Sequence, residues 1–223
     1  MARSSKSGNA YELRQAVNLR KYKYNDHPVI VWGTGGSNKK SKDVDGFIED
    51  GDFLVETKTK GAWEFGSSKF HYLGDKYTLP DEPLISKYLA TDYQPFRSFV
   101  PSFLKGNPSN DTLKKERKEQ KTAGNPLDYK VPIPDRTLAA QYYRSKGVPY
   151  IQIQGSGLYR TGPDTRNWGL PLLEFDTAIR IRCKPHKTDV SYSVQAQIVS
   201  TSKPKPSPFD LDDPKRLPRG FSA

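Results

Sequence analysis

Apolar and polar residues alternate most regularly between Val44 and Lys58. Val44 to Ile48 and Asp52 to Lys58 each follow the period of two of a half-buried strand, and Glu49-Asp50-Gly51 between them is turn chemistry. The second strand places Leu54, Glu56 and Lys58 on one face and Phe53, Val55 and Thr57 on the other. Upstream, Asn9 to Tyr22 has a helical period with Leu13, Ala16, Val17 and Arg20 on one side. Glu12, three residues after Asn9, suits the return partner of a capping box. Val29-Ile30-Val31-Trp32 is a continuous apolar run and predicts a buried strand.

Downstream, Gly61 to His71 has no clear period. Pro80 to Leu104 predicts one helix and then an irregular segment. Gly106 to Asn125 is charged all round, either a solvated helix or a loop ordered by a partner. Thr137 to Gly147 predicts a helix, with Asp135 or Thr137 as its cap and Gly147 as its stop. Val148 to Gln154 follows as a strand with Ile151 and Ile153 on one face, and Gly155 to Arg160 turns back. Helix, glycine, strand is a unit of an α/β sheet. Ala178 to Arg182 and Ser191 to Ser200 predict an antiparallel pair. The expected fold class is α/β, a central mixed β-sheet flanked by helices. Residues 1–202 read as one domain with a mobile arm at 1–8, and 203–223 as an extended, proline-rich tail suited to crossing a dimer partner.

Charge changes the picture more than composition does. The 223 residues carry 36 Lys+Arg against 25 Asp+Glu, a formal net charge of +11, which favours a polyanionic partner. One cysteine, Cys183, excludes a disulfide framework and a thiolate metal cluster, and suits a reducing, cytoplasmic compartment. No run of 18 apolar residues is present, so a membrane-spanning or secreted protein is not expected. His27, His71 and His186 are too widely spaced for a zinc site. Gly33 to Lys42 superficially suits a phosphate loop, but Asn38 stands where glycine must precede the lysine, so no nucleotide cofactor is expected. Its Lys39, Lys40 and Lys42, together with Lys60, suit contacts to a DNA backbone.

The hairpin carries the candidate chemistry. Magnesium prefers oxygen ligands and is held by one or two carboxylates plus waters and substrate phosphate. Asp45 and Glu56 would be those carboxylates here, the main-chain carbonyl of Thr57 could add a third oxygen, and Lys58 would orient a nucleophile or neutralise phosphate. Read alone, the same residues also fit a surface hairpin whose Asp, Glu and Lys are solvated charges or cross-strand pairs. Asp43 lies two residues from Asp45 on the same face; Asp45 is preferred because Phe47-Ile48 follows it as a buried strand should.

Asp45, followed on the next strand by Glu56-Thr57-Lys58, resembles the PD-(D/E)xK nuclease superfamily, with Val44 in place of the motif's proline. The resemblance implies a restriction-endonuclease-like core, divalent-metal hydrolysis of phosphodiesters, and an auxiliary metal-facing role for Glu12. Lys146 to Tyr159 is similar to the segment downstream of the metal site in several type II restriction endonucleases. It implies a Mg2+-dependent, sequence-specific endonuclease of a restriction-modification system, acting as a homodimer on double-stranded DNA. Gln152, Arg160, Arg166 and Asn167 are then base-reading candidates, since Arg suits guanine and Asn or Gln suits adenine. A structure-selective or repair nuclease would share the same catalytic residues. A non-catalytic nucleic-acid-binding protein would need only the charge and the aromatics.

Overall fold

Val44 to Lys58 forms the antiparallel hairpin that its alternation requires. The computed structural model describes residues 3–34, 44–48, 51–61, 64–70, 72–73, 76–77, 80–91, 109, 111–112, 114–115, 118–119, 128–185 and 192–223. In chain order the elements are helix α1 (Arg3–Leu19) and strands β1 (Lys23–Tyr24), β2 (His27–Pro28), β3 (Ile30–Thr34), β4 (Val44–Ile48), β5 (Gly51–Lys58), β6 (Glu64–Lys69), β7 (Tyr72–Leu73) and β8 (Lys76–Tyr77). Helix α2 (Pro83–Thr91), strand β9 (Asp128–Ile133) and helix α3 (Leu138–Ser145) follow. Strands β10 (Tyr150–Ile153), β11 (Gly157–Arg160), β12 (Thr177–Pro185), β13 (Tyr192–Ser200) and β14 (Phe221–Ser222) complete the chain. The mixed α/β class agrees with the sequence.

The chain divides into two compact units in place of the single domain expected over 1–202. One comprises Met1–Trp63, Ala139–Phe175 and Lys203–Ala223; the other comprises Glu64–Leu138 and Asp176–Ser202. The second unit leaves the first twice, after β5 and after Phe175. Local periodicity does not record which distant segments close on one another.

In the first unit a five-stranded sheet has the order β11-β10-β5-β4-β3. Strands β3, β4 and β5 form an antiparallel meander. Strand β10 joins β5 in parallel, pairing Tyr150 with Val55, Ile151 with Glu56, Gln152 with Thr57 and Ile153 with Lys58. A parallel pair needs a crossover, and α3 lies in the connection that ends it. Helix α1 packs on the Phe53–Val55 face through Ala16 and Leu19, in a core that also holds Tyr24, Tyr150, Leu158 and Trp168. The Trp168 ring stacks on Tyr150 at 4.9 Å and meets Phe53 and Tyr24 edge-on at 5.8 Å. Helix α3 serves the other face, where Tyr143 reaches Glu56.

Three local expectations change. Helix α1 begins at Arg3, so residues 3–8 are helical and no arm; once a helix is anchored by its apolar face, each further turn adds hydrogen bonds cheaply. Glu12 therefore lies well inside the helix and is no capping-box residue. The segment after 202 is no tail crossing a partner. It folds onto its own chain, where Leu211 is fully buried and β14 pairs with β1. Its hold is polar as well as apolar. Tyr11 and Gln15 of α1 donate to the Asp212 carboxylate, and Tyr22 donates to the Leu211 carbonyl at 3.1 Å. Gln152 bridges to the same segment, donating to Asp210 at 2.6 Å and accepting from the Leu211 amide at 3.2 Å. Gly157 permits the close approach: a Cβ there would stand 2.3 Å from the Phe209 carbonyl oxygen.

The second unit is built on an antiparallel sheet of order β6-β13-β12-β9. Ile179, Ile181, Ala196, Ile198, Val131 and Ile133 are buried on one face, and Ile85 and Leu89 of α2 are buried in the same unit. Strand β6 arises where the sequence has no clear period, because its pairing partner β13 supplies the order that local pattern lacks. The pair expected at 178–182 and 191–200 is present as β12 and β13.

Two predictions follow from the C-terminal embrace. Deleting residues 203–223 should abolish the cooperative urea transition of the first unit; an unchanged midpoint would show the segment to be dispensable. Tyr159, buried and donating to the Ser156 and Lys205 carbonyls, has its pKa pushed up to about 12 by burial. Because the folded state holds the phenol proton more tightly than the unfolded one, that stabilisation is full below pH ~10 and fades between about 10 and 12. Tyr159→Phe should cost about 1–2 kcal/mol at neutral pH and flatten the fall of the urea midpoint over that alkaline window.

Candidate active site

Glu56 is almost withdrawn from water, at 6% exposure. A lone buried carboxylate is costly, so its partners decide whether the strand can hold it ionised. The Lys58 ammonium lies 2.6 Å from Glu56 Oε1, and the Tyr143 hydroxyl donates to the same oxygen at 3.0 Å. Lys58 is on the same face because it is two residues along the strand; Tyr143 arrives from the last turns of α3. The ammonium also stands 5.4 Å from the centre of the Tyr143 ring. A buried, charge-assisted cluster results, with side-chain exposures of 17% for Lys58 and 8% for Glu56.

The proton positions follow. Burial raises the Tyr143 pKa, Glu56 raises it further and the Lys58 charge only partly opposes them, so the phenol stays protonated and donates. Burial works against the Lys58 ammonium, but the Tyr143 oxygen and the Glu56 carboxylate outweigh it and hold its pKa above the ordinary lysine value. Lys58 is therefore a fixed positive charge at neutral pH and no proton acceptor.

The register of β4 on β5 puts position 45 opposite Leu54, hence on the sheet face that carries Glu56 and Lys58. The side chain of Asp45 lies outside the described residues, as do Asp43, Lys39, Lys40 and Lys42. Glu12 belongs to α1, the helix on the opposite face of β5, and is half-buried there. Thr57 is buried on that opposite face; only its main chain serves both sides. Lys60 is exposed just past the end of β5, its amide held by Gln154 Oε1 at 3.1 Å. Among the described residues no three His, Cys, Asp or Glu side chains form a metal-ligating group.

The expected base readers fare differently. Gln152 is fully buried, its amide spent on Asp210 and Leu211, so it cannot reach a groove. Arg160 donates to the carbonyls of Leu170 at 2.9 Å and of Gly162, which makes it a clamp for its own loop. Arg166 is half-buried, its guanidinium 5.5 Å from the centre of the Trp168 ring. Asn167 alone of the four is exposed, at a turn with φ 52. Tyr143 is the site residue that sequence reasoning missed. Its helical position places it on the buried stripe with Ala139 and Ala140, a pattern indistinguishable from ordinary core.

Comparison of the chain with protein-family models, curated proteins and solved structures finds no match. The site's chemistry therefore rests on its own geometry.

Tyr143→Phe keeps the ring and removes one donor from a buried carboxylate. It should lower stability by about 1–3 kcal/mol in urea denaturation. An unchanged urea midpoint would show that the hydroxyl does not support Glu56.

Proposed function

We propose that the chain is a divalent-metal-dependent nuclease that hydrolyses phosphodiesters of DNA, with Asp45 and Glu56 as its metal carboxylates and Lys58 as its fixed cation. One observation carries this reading: a carboxylate held in the sheet between an ammonium and a phenol, beside a strand position occupied by a second acid. Ordinary surface pairs are exposed and exchangeable, whereas this cluster is buried against a helix. The overall charge of +11 supports a polyanionic substrate.

The donor set suits magnesium, since Glu56, Asp45 and the Thr57 carbonyl are all hard oxygens and two of them are carboxylates. When bound, such an ion acidifies a water and neutralises charge developing on phosphate. Glu56 is positioned for this by Tyr143 and Lys58, which fix its carboxylate orientation without covalent chemistry. Lys58, charged at neutral pH, stabilises negative charge on the phosphate oxygens or orients the attacking water. Attack by water at phosphorus breaks one P–O bond and leaves a phosphomonoester on one side and a hydroxyl on the other. The arrangement of β3, β4 and β5 as a meander, then α3, then β10 parallel to β5, supports a restriction-endonuclease-like core.

A homodimeric, sequence-specific restriction enzyme is one form of this reading. The fate of Gln152 and Arg160 favours the other, a nuclease selecting DNA by structure. Both side chains hold the fold together, and contacts confined to the backbone carry no sequence information.

Digestion of a large unmethylated DNA with magnesium, beside an EDTA control, tests the proposal. Magnesium-dependent cleavage is expected. Glu56→Gln and Lys58→Ala should each slow it by about a hundredfold or more while duplex binding in EDTA changes little. Discrete bands would identify the restriction form; cleavage concentrated at nicks, flaps or mismatches would identify the structure-selective one. Cutting by either variant at the wild-type rate, or cutting that survives EDTA, would remove the assignment.

A further inference from the structure

A cleft of about 290 Å³ opens in the first unit on the sheet face that carries the acid cluster, lined among others by Leu54, Arg144, Val148, Pro149, Pro163 and Thr165. Leu54 is the residue immediately before Glu56 on that face and stands opposite position 45. The cleft therefore begins about 7 Å along β5 from the carboxylate. Its floor and sides are largely apolar. Its volume is at the small end of ligand pockets, which start near ~300 Å³.

The walls are fixed from behind. The Thr161 amide donates to the Pro149 carbonyl at 2.9 Å and its hydroxyl to the Val148 carbonyl at 2.7 Å. Arg160 holds the Gly162 carbonyl. Gly162 leaves room for Arg144: a Cβ there would lie 3.2 Å from Arg144 Cδ and 3.3 Å from Nε. The Arg144 side chain thus lies along a glycine at the rim, exposed, and among the described residues it makes no ion pair. Thr165 presents an exposed hydroxyl at the same rim. A largely apolar, open cleft with a guanidinium at its rim that makes no ion pair among the described residues suits a flat apolar group attached to an anion.

We propose that this cleft receives one unpaired nucleotide of the DNA strand next to the cleaved phosphate, with its base between Leu54, Pro149 and Pro163 and its phosphate on Arg144. A base stacked and paired in a duplex could enter this cleft only at the cost of unpairing and unstacking, whereas an unpaired base can leave the stack at little cost. The cleft thereby makes the enzyme prefer DNA with an unpaired nucleotide near the cut. This inference rests on the proposed action on DNA and adds the substrate form that the site selects.

Fluorescence anisotropy in EDTA tests it with two labelled DNA probes, a short duplex and the same duplex carrying a single-nucleotide bulge, and with the RNA counterpart of the bulged duplex as a third. The wild-type chain should bind the bulged DNA more tightly. Arg144→Ala should erase most of that preference and reduce the slope of log affinity against log salt by about 0.9, the loss of one phosphate contact. Thr165→Trp, which fills the mouth without removing charge, should erase the preference and leave the slope alone. Both positions are exposed, and Lys215→Ala on the exposed C-terminal turn serves as the control that changes neither preference nor slope. Equal wild-type affinity for the two probes, a preference that survives both variants, or a stronger preference for a bulged RNA would overturn the cleft's role while leaving magnesium-dependent DNA cleavage standing. Absence of binding to either DNA, together with absence of cleavage, would overturn the nuclease reading itself.

Discussion

An ionised carboxylate inside a sheet is tolerable only if the charge is answered at once, and Glu56 is answered twice. Lys58 comes from the same strand at no cost in long-range order, because alternation alone brings residues two apart to one face. Tyr143 comes from a helix more than eighty residues away in sequence, so its arrival requires that α3 be seated and β10 be paired beside β5. The chemistry and the topology are thus one constraint. Shift β10 by one residue on β5 and α3 would enter the sheet at a different height, leaving Glu56 with a single partner. Replace the ion pair by two apolar groups and the strand would be as stable or more so, since buried ion pairs seldom gain much over apolar packing. A buried acid–lysine pair is therefore weak as a device for stability, and the proposed catalytic role would account for its presence.

The opposite face of the same strand is organised by the C-terminal segment. Gln152 lies beside Thr57 in the parallel pair and spends its whole amide on Asp210 and Leu211. Asp212 then collects Tyr11 and Gln15, so helix α1, strand β10 and the chain's end are tied through two carboxylates. Burial and Asp212 together raise the Tyr11 pKa, which keeps its phenol a donor throughout the physiological range. The two sides of the sheet are built on the same logic, a buried acid satisfied by donors from distant segments. They differ in the cation beside the acid: the Lys58 ammonium stands 2.6 Å from Glu56, whereas the guanidinium groups of Arg14 and Arg216 stand 3.5 and 3.6 Å from Asp212 and Asp210.

What the sequence disclosed about this arrangement follows the range of the forces involved. The hairpin, α3 and β10 were legible because their signals are local: period two, a cap at Asp135 whose carboxylate takes the Thr137 amide at 2.8 Å, and Gly147 at φ 73. Glu56 and Lys58 were legible as sharing a face for the same reason. Tyr143 was not, because a tyrosine on the buried stripe of a helix looks alike whether its hydroxyl meets water or a carboxylate. Gln152 and Arg160 misled in the opposite direction. Polar residues beside a turn read as surface contacts, but each satisfies polar groups brought by segments remote in sequence. The proline-rich end misled too, since prolines predict extended chain and cannot say what that chain lies against.

The same reassignment bears on how a substrate could be chosen. An arginine reads guanine by placing two N–H groups on one base edge, which requires a guanidinium that carries no other obligation. Arg160 has its Nε and one Nη on main-chain carbonyls, so offering that fork to a base would mean breaking the loop that backs the cleft. Arg144 has no such obligation among the described residues and sits where those fixed walls leave an opening. The residue suited to recognise a sequence has become part of the frame, and the exposed guanidinium beside the cleft is suited to a phosphate. If the proposed action on DNA holds, selection would fall on what can enter the cleft, so that whether a nucleotide is paired would decide more than which base it carries.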